Sequence, residues 1–291
     1  MFSGIITALA TPFRDGRLDE PALRELCEWQ IAEGVHGLVV CGSTGEAAAL
    51  STEEKVRATQ IVVEQARKRV PVIAGSGTNS TASTVELTRA LAAARPDGVL
   101  VVTPYYVKPT QAGLIEHYRA VAAVGLPVVA YNVPGRTGVS LTADTAARLA
   151  AIDNIVALKE ASADLRLDAS MVRAAGKLSL LSGDDFTLLA FLAVGGRGCI
   201  SVASNISPRQ MVALYDRFRA NDIAGAREIQ LALLPLMDAL FLESNPIPVK
   251  AALWRLGRIQ PEIRAPLTWM SPEQQPKLFS AMAALGLEAR P

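Results

Sequence analysis

Eight short apolar runs rich in β-branched residues recur along the chain, and this recurrence constrains the fold more than any other feature of the sequence. A polar or glycine-rich loop and then a segment with helical periodicity follow each run, as is typical of strands and helices that alternate around a parallel sheet. No dinucleotide-binding or Walker motif supports an open doubly wound sheet, so the pattern predicts a closed (β/α)8 TIM barrel. The predicted strands are residues 5–10, 37–41, 70–74, 98–102, 127–131, 155–159, 178–181 and 199–202.

Signals for the starts of helices lie between the runs. Ser51 and Glu54 have the spacing of a capping box, in which a side chain and a backbone amide satisfy each other's hydrogen bonds. Asp19 and Thr142 are predicted N-caps, and Ser207 is predicted to cap a helix whose first turn contains a proline. The helix starts therefore agree with the strand pattern.

The strand pattern stops near residue 221, and only helical periodicity follows it. We therefore expect a catalytic barrel domain over residues 1–221 and a helical extension over residues 222–291. One helix of the extension is predicted to begin at Ser271 and Pro272, with Gln274 completing its cap.

Composition excludes several classes of partner. Lys and Arg number 29 against 28 Asp and Glu, so no strong basic field would attract a nucleic acid or an anionic membrane. Three cysteines without a CxxC pair indicate a reducing compartment. We find neither a signal-peptide pattern nor an apolar run that could span a bilayer. These features predict a soluble, cytoplasmic protein that acts on a small molecule.

Lys159 is the most informative candidate for catalysis. It ends an apolar strand, and active sites of (β/α)8 barrels lie at the carboxyl ends of the strands. Side-chain alternation places it on the same face as Ile155 and Ala157. If that face points into the barrel, desolvation lowers the pKa of the amine and favours attack on a ketone. The alternative is a salt-bridged lysine at a strand end.

Two other strand ends carry polar side chains that could share this cavity. Tyr131 ends the preceding strand and could transfer protons, although packing is the alternative role. Ser43 and Thr44 lie in a glycine-flanked turn whose hydroxyl and amide groups could hold a carboxylate, or could simply form the turn. Arg136 could bind a second carboxylate with two hydrogen bonds, or lie solvated at the surface.

Metal chemistry has little support in the sequence. The two histidines, His36 and His117, are far apart, and no HxH or HExxH spacing occurs. We therefore expect no metal site and no cofactor, but a covalent imine between an amine and a keto acid.

Six motifs in order along nearly the whole chain resemble the dihydrodipicolinate synthase and N-acetylneuraminate lyase family. They are GSTGE at 42–46, TPYY at 103–106, YNVPGRTG at 131–138, LKEAS at 158–162, LLSGDD at 180–185 and ESNPIPVK at 243–250.

The resemblance implies roles for individual residues. Lys159 would form an imine with pyruvate, Tyr131 would donate and accept protons, and Ser43 and Tyr106 would complete a hydroxyl relay. In the family, the residue that matches Tyr106 comes from a neighbouring subunit, which implies a dimer paired into a homotetramer. The substrate-binding residues implied by the resemblance are Thr44, Gly183, Ile200 and Arg136.

Arg136 separates the branches of the family. The synthase branch resembles this chain in its NVPxRTG loop, whose arginine binds the carboxylate of aspartate semialdehyde, and the sialic acid lyases lack it. Ser43 departs from the synthases, which usually have threonine there. The resemblance therefore implies condensation of pyruvate with aspartate semialdehyde in diaminopimelate and lysine biosynthesis. The alternatives are a pyruvate-dependent lyase or aldolase for a sialic acid or a 2-keto-3-deoxy sugar acid, and a non-catalytic barrel that binds a keto acid.

Feedback inhibition by lysine is expected to be weak or absent. Lysine-sensitive relatives have polar, often acidic and histidine-bearing side chains beside the interface tyrosine. Lys55, at one of the matching positions, would repel a cationic ligand. The other matching positions are Ala47, Thr52 and Ser83.

Overall fold

The strands form a closed barrel of eight parallel strands in the computed structural model, which describes residues 2–287. Each strand is hydrogen-bonded to its neighbours in the chain, and β1 closes the barrel by pairing with both β2 and β8. All eight predicted strands are confirmed, with boundaries that move by no more than two residues. They are β1 Gly4–Ala8, β2 Gly37–Val40, β3 Val72–Gly75, β4 Gly98–Val102, β5 Val128–Asn132, β6 Ile155–Glu160, β7 Ser179–Ser182 and β8 Gly198–Ser201.

A helix follows each strand, and the (β/α)8 architecture predicted from the sequence is thereby confirmed. The helices that surround the barrel are α1 Glu20–Ala32, α2 Thr52–Ala66, α3 Thr81–Ala92, α4 Gln111–Ala122, α5 Ala143–Leu149, α6 Leu165–Ala174, α7 Leu188–Ala193 and α8 Pro208–Arg219. Three further helices, α9 Ile223–Ala239, α10 Ile247–Arg255 and α11 Gln275–Ala283, come after the barrel.

Most of the predicted helix caps are present. Ser51 and Glu54 form both hydrogen bonds of the capping box at α2. The Asp19 side chain accepts from an amide of α1, and the Thr142 hydroxyl accepts from an amide of α5. Ser207 precedes α8, but its hydroxyl donates to the Gln210 side chain and caps no amide.

The barrel interior is filled by apolar side chains that point inward from the strands. Tyr131 belongs to this inner cluster, near the carboxyl ends of the strands. The inner cluster also contains Phe2, Ile6, Ala8, Val39, Ile73, Leu100, Val129, Val133, Ala157, Leu181 and Ile200.

The expected alternation along β6 is wrong at its first residue. Val128 pairs with Ile155, but the next residue of β5 pairs with Ala157, so β6 has one extra residue at this point. Such a bulge shifts the side chains before it to the other face. Ile155 consequently packs in the outer core against the helices, whereas Ala157 points inward.

The three helices after the barrel share a hydrophobic core with it. This core joins Ile5 of β1 and Cys199 of β8 to Leu236 of α9 and Val249 of α10. The helical extension is therefore packed tightly on the barrel. No helix among residues 2–287 is long and apolar enough to cross a membrane.

The predicted helix start at Ser271 is wrong. The last helix begins at Gln275, and its N-cap residue, Gln274, makes no side-chain cap hydrogen bond. The Ser271 amide and hydroxyl both donate to the Glu243 carboxylate instead, at 3.0 and 2.5 Å. The charged Glu243 carboxylate therefore binds the Ser271 hydroxyl that the local spacing assigned to the helix cap.

A small hairpin that the strand pattern did not reveal follows β1. It pairs Phe13–Arg14 with Arg17–Leu18 through Asp15 and Gly16, both of which have positive φ. An Asp-Gly turn between two short strands is the usual signal for such a hairpin. Its buried Phe13 ring forms part of the contact with the C-terminal segment described below.

Candidate active site

Lys159 and Tyr131 lie side by side at the carboxyl ends of β6 and β5. They are direct partners in the parallel ladder, and the Lys159 Nζ lies 4.3 Å from the centre of the Tyr131 ring. Lys159 is 5% exposed and Tyr131 is 6% exposed, so both side chains are largely withdrawn from water. This pairing brings an amine and the ring of a phenol, the two groups that imine chemistry with proton transfer requires, into contact at the strand ends.

Gly183 leaves the space that the lysine side chain occupies. It follows β7, and its amide donates to the Glu160 carbonyl at 2.6 Å. A Cβ at this position would lie 2.8 Å from the Lys159 Cε and 2.6 Å from the Ala161 Cβ. Any larger residue would therefore push the amine away from its position beside Tyr131.

We expect Gly183→Ala to lower kcat/KM by about 100-fold, because a displacement of roughly 1 Å at a reacting group has an effect of that size. The control is Gly113→Ala on α4, where a Cβ makes only ordinary contacts at 3.5 Å. Steady-state kinetics with both variants test the prediction. Equal activity of the two variants would show that the space beside Lys159 is not required.

Thr44 lies in the turn after β2 and is tied to the C-terminal part of the chain. Its side chain is buried, and its Oγ1 accepts a hydrogen bond from the Asn245 Nδ2 at 2.9 Å. Because the hydroxyl oxygen is the acceptor in this contact, its own proton is available to donate to a ligand. The arrangement suits the binding of a carboxylate.

Arg136 reaches the same segment from the loop after β5. It lies in a helical turn, Pro134–Thr137, and its Nη2 donates to the main-chain carbonyl of Asn245 at 3.1 Å. The residue is exposed at the rim of the barrel. A guanidinium has five N–H donors, so this contact orients the group and leaves it able to bind an anion.

The other predicted site residues lie at different depths. Ile200 is buried in the inner cluster together with Tyr131. Ser43 is half-buried, and its carbonyl accepts from the Glu46 amide within the turn after β2. Tyr106 is 87% exposed, so in one copy of the chain this ring lies in solvent.

Tyr118 on α4 supports the strand end that carries Tyr131, and the sequence did not point to it. It is fully buried, and its hydroxyl donates to the Val101 carbonyl at 3.0 Å and accepts from the Tyr131 amide at 3.4 Å. Burial raises the pKa of Tyr118 well above its usual value. The neutral phenol thus bridges β4 and β5 directly behind the site.

Asn132 and Glu160 form a second support on the outer side of the same strands. The Asn132 Nδ2 donates to the Glu160 carboxylate at 2.7 Å, and its Oδ1 accepts from the Leu141 amide at 2.9 Å. The Ser162 amide donates to the other Glu160 oxygen at 2.6 Å. Burial raises the pKa of Glu160. These bonds fix both ends of the loop that carries Arg136.

Asp168 on α6 lies close to this support without a partner for its Oδ1 among residues 2–287. Burial, and then the charges of Glu160, Asp164 and Asp184, raise the pKa of Asp168 to about 7 from its ordinary value of 3.8. The folded protein therefore binds the Asp168 proton more tightly than the unfolded chain does, and this protonation contributes to stability. This contribution to stability is complete below the unfolded pKa near 4 and is lost as the pH rises through 7.

We expect Asp168→Asn to lose less stability than the wild type between about pH 5 and about pH 9, because asparagine stays neutral over this range. Urea unfolding at both pH values measures the difference. Asp153→Asn, which removes an exposed carboxyl, is the control and should follow the wild type. A parallel loss of stability in Asp168→Asn would contradict the prediction.

A buried ion pair fixes the turn after β2 to α10. The Lys250 Nζ lies 2.5 Å from the Glu46 Oε1, and neither side chain is more than 1% exposed. The Arg264 amide donates to the other Glu46 oxygen at 2.9 Å, and the Phe13 ring lies 4.3 Å from the Lys250 Nζ. Burial lowers the pKa of Lys250, whereas the negative charge of Glu46 acts to raise it. The pair thus depends on both partners.

Comparison with known proteins gives one consistent result. The model of the dihydrodipicolinate synthetase family matches residues 1–285 of the chain. A 4-hydroxy-tetrahydrodipicolinate synthase from Syntrophus aciditrophicus is 50% identical over 289 residues, which is 99% of each chain. The enzyme of the same name from Thermodesulfovibrio yellowstonii is 46% identical over 99% of each chain.

Solved structures agree with these relatives. The crystal structure of dihydrodipicolinate synthase from Thermotoga maritima superimposes with a TM-score of 0.97 at 41% identity, covering 99% of both chains. The crystal structure of the synthase from Aquifex aeolicus gives a TM-score of 0.97 at 42% identity, covering 100% of both chains. The similarity therefore extends over the barrel and the helices that follow it.

Proposed function

Because this chain belongs to the dihydrodipicolinate synthetase family, we propose that it condenses pyruvate with L-aspartate 4-semialdehyde to 4-hydroxy-tetrahydrodipicolinate, as a Schiff-base-forming lyase. The reaction belongs to diaminopimelate and lysine biosynthesis. The observation that carries the proposal is the buried Lys159 amine beside the Tyr131 ring, at the mouth of the barrel.

The first half of the reaction attaches pyruvate to the enzyme. The Lys159 amine attacks the keto carbon of pyruvate, and loss of water leaves an iminium. Removal of a proton from the pyruvate methyl group then gives an enamine, with the iminium nitrogen as the electron sink. Thr44 holds the pyruvate carboxylate through its hydroxyl or amide, and the Ile200 carbonyl and Gly183 complete this pocket.

The protons move through a chain of hydroxyl groups. Tyr131 donates and accepts the protons of the carbinolamine and enamine steps, and the 4.3 Å between the Lys159 Nζ and the centre of the Tyr131 ring supports this role. Ser43 and Tyr106 extend the relay towards water. The exposure of Tyr106 supports a contribution of this ring to the site of a neighbouring subunit.

The second half of the reaction joins the two substrates. The enamine carbon attacks the aldehyde carbon of aspartate semialdehyde, and a new carbon–carbon bond forms. The amine of the same substrate then displaces Lys159 by transimination, which closes the ring and frees the enzyme. Arg136 orients this substrate through its carboxylate.

We expect Arg136→Ala to lower kcat/KM for aspartate semialdehyde by about 100-fold, because a charge-assisted pair with the carboxylate is lost. The extent of imine formation with pyruvate alone should remain near that of the wild type. Arg148→Ala, on the exposed side of α5, is the control. An equal loss in kcat/KM for aspartate semialdehyde and in imine formation with pyruvate would contradict the role assigned to Arg136.

The remaining features of the protein follow from the same proposal. The imine chemistry uses no metal and no cofactor, and the partners are the two small-molecule substrates, without nucleic acid or membrane. We propose a cytoplasmic homotetramer, a catalytic domain over residues 1–221 and a helical extension over residues 222–291.

Inhibition by lysine is proposed to be weak, since Lys55 is half-buried and its ammonium repels a second cation.

An assay of product formation from pyruvate and candidate aldehydes tests the proposed reaction. Aspartate semialdehyde should give the cyclic product, whereas N-acetylmannosamine and short sugar aldehydes should give none. Turnover of a sugar aldehyde in preference to aspartate semialdehyde would replace the synthase by an aldolase that uses the same imine.

A further inference from the structure

We propose that Asn245 is a positioning residue for the pyruvate half of the reaction, through its hold on the Thr44 hydroxyl. This inference rests on the proposed function, because it assigns the proton of Thr44 to the pyruvate carboxylate. Asn245 does not itself touch a reacting atom in this proposal.

The first support is the direction of the hydrogen bond. The Asn245 Nδ2 donates to the Thr44 Oγ1 at 2.9 Å, so the threonine proton points elsewhere. A threonine hydroxyl otherwise rotates among several acceptors. With its oxygen engaged by the amide, the Thr44 hydroxyl has its proton available for donation to a ligand.

The second support is the burial and incomplete bonding of Asn245. The residue is 7% exposed, and its Oδ1 has no hydrogen-bond partner among residues 2–287. A buried polar atom without a partner costs free energy and commonly marks a functional position. The hydrogen bond from Nδ2 to Thr44 is the side-chain contact that the structure shows for Asn245.

The third support is that the segment is anchored independently of this contact. Lys250, five residues further on, forms the buried pair with Glu46, which belongs to the same turn as Thr44. The Asn245 carbonyl also accepts from Arg136 at 3.1 Å. These contacts do not involve the Asn245 side chain, so its removal should leave the segment in place.

Removal of the side chain therefore separates two effects. Asn245→Ala frees the Thr44 hydroxyl but keeps the main-chain carbonyl that holds Arg136. We expect kcat/KM for pyruvate to fall about 10-fold, the effect of one hydrogen bond, with the KM for aspartate semialdehyde nearly unchanged. Asn245→Asp should lower it further, because a carboxylate accepts the threonine proton and repels the pyruvate carboxylate.

A double-mutant cycle distinguishes positioning from a structural role. The rate of imine formation with pyruvate alone is measured by borohydride trapping and mass spectrometry in four proteins: wild type, Asn245→Ala, Thr44→Val and the double variant. If Asn245 acts through the hydroxyl, its removal has less than about a 2-fold effect in the Thr44→Val background. Asn154→Ala, which removes a side-chain bond to the Ala122 carbonyl before β6, is the control.

The outcomes are separable because the trapping needs no aldehyde. An equal 10-fold loss in both backgrounds, or no loss in Asn245→Ala, would overturn the inference while the imine chemistry stands. Absence of a trapped adduct in the wild type would overturn the proposed function and the inference together. Trapped imine without turnover of aspartate semialdehyde would reject only the second substrate.

Discussion

Lys159→Arg is expected to abolish the covalent adduct with pyruvate and to lower kcat by at least about 1000-fold. Arginine keeps the positive charge and much of the length of lysine, but its guanidinium does not lose a proton in proteins and so cannot attack a ketone. The substitution therefore removes the nucleophile and preserves the charge beside Tyr131. Mass spectrometry after borohydride reduction with pyruvate, together with steady-state kinetics, measures both effects.

Lys177→Arg is the matched control, since Lys177 is exposed after α6 and lies outside the barrel mouth. This variant should form the adduct and turn over like the wild type. Thermal unfolding of Lys159→Arg should show that the fold is retained. A trapped pyruvate adduct in Lys159→Arg would mean that another amine carries the chemistry.

Lys250→Met is expected to lower the free energy of unfolding by about 3–5 kcal/mol, because it leaves the Glu46 carboxylate buried without its cation. Methionine is similar in length and apolar, so loss of packing volume contributes little. Since the whole stability of a domain is roughly 5–15 kcal/mol, this change is large. Urea unfolding monitored by circular dichroism measures it.

Two companion variants interpret the result. Arg24→Met removes the cation of an exposed pair with Glu64 and should change the stability by less than about 1 kcal/mol. Glu46→Gln combined with Lys250→Met removes both charges and should recover part of the loss. If Arg24→Met and Lys250→Met were equally destabilised, burial of the pair would not be the source of the effect.

The barrel was predictable because its signals are local. A strand buried on both faces shows a continuous apolar run, and a capped helix shows its cap a few residues away. Ser51 with Glu54 illustrates this, since both bonds of the predicted box form. The positions of Lys159 and Tyr131 at neighbouring strand ends followed from the same logic, although their catalytic roles stay predictions.

Local spacing failed where a distant group competes for the same side chain. Ser271 satisfies the sequence rule for a cap, but Glu243 takes its hydroxyl. The bulge in β6 likewise depends on the pairing of β6 with β5, so Ile155 turned to the outer core without a local signal. Both errors are tertiary effects that override local preference.

The supports of the site were not predictable for a related reason. Asn245 and Thr44 are 201 positions apart, and Lys250 and Glu46 are 204 apart, so no spacing rule joins them. The helical periodicity around Tyr118 predicts only an ordinary core residue of an amphipathic helix. Only the closed barrel reveals that these side chains hold the strand ends and turns around Lys159.

The attachment of the turn after β2 to residues 245–264 has a consequence for synthesis of the chain on the ribosome. All eight strands precede Asn245, Lys250 and Arg264 in the chain and are therefore synthesised before them. A nascent chain at that stage has Lys159 and Tyr131, but its Thr44 lacks the amide that fixes it and its Glu46 lacks a counterion. The contacts that fix the turn after β2 therefore form only after residues 245–264 have been synthesised.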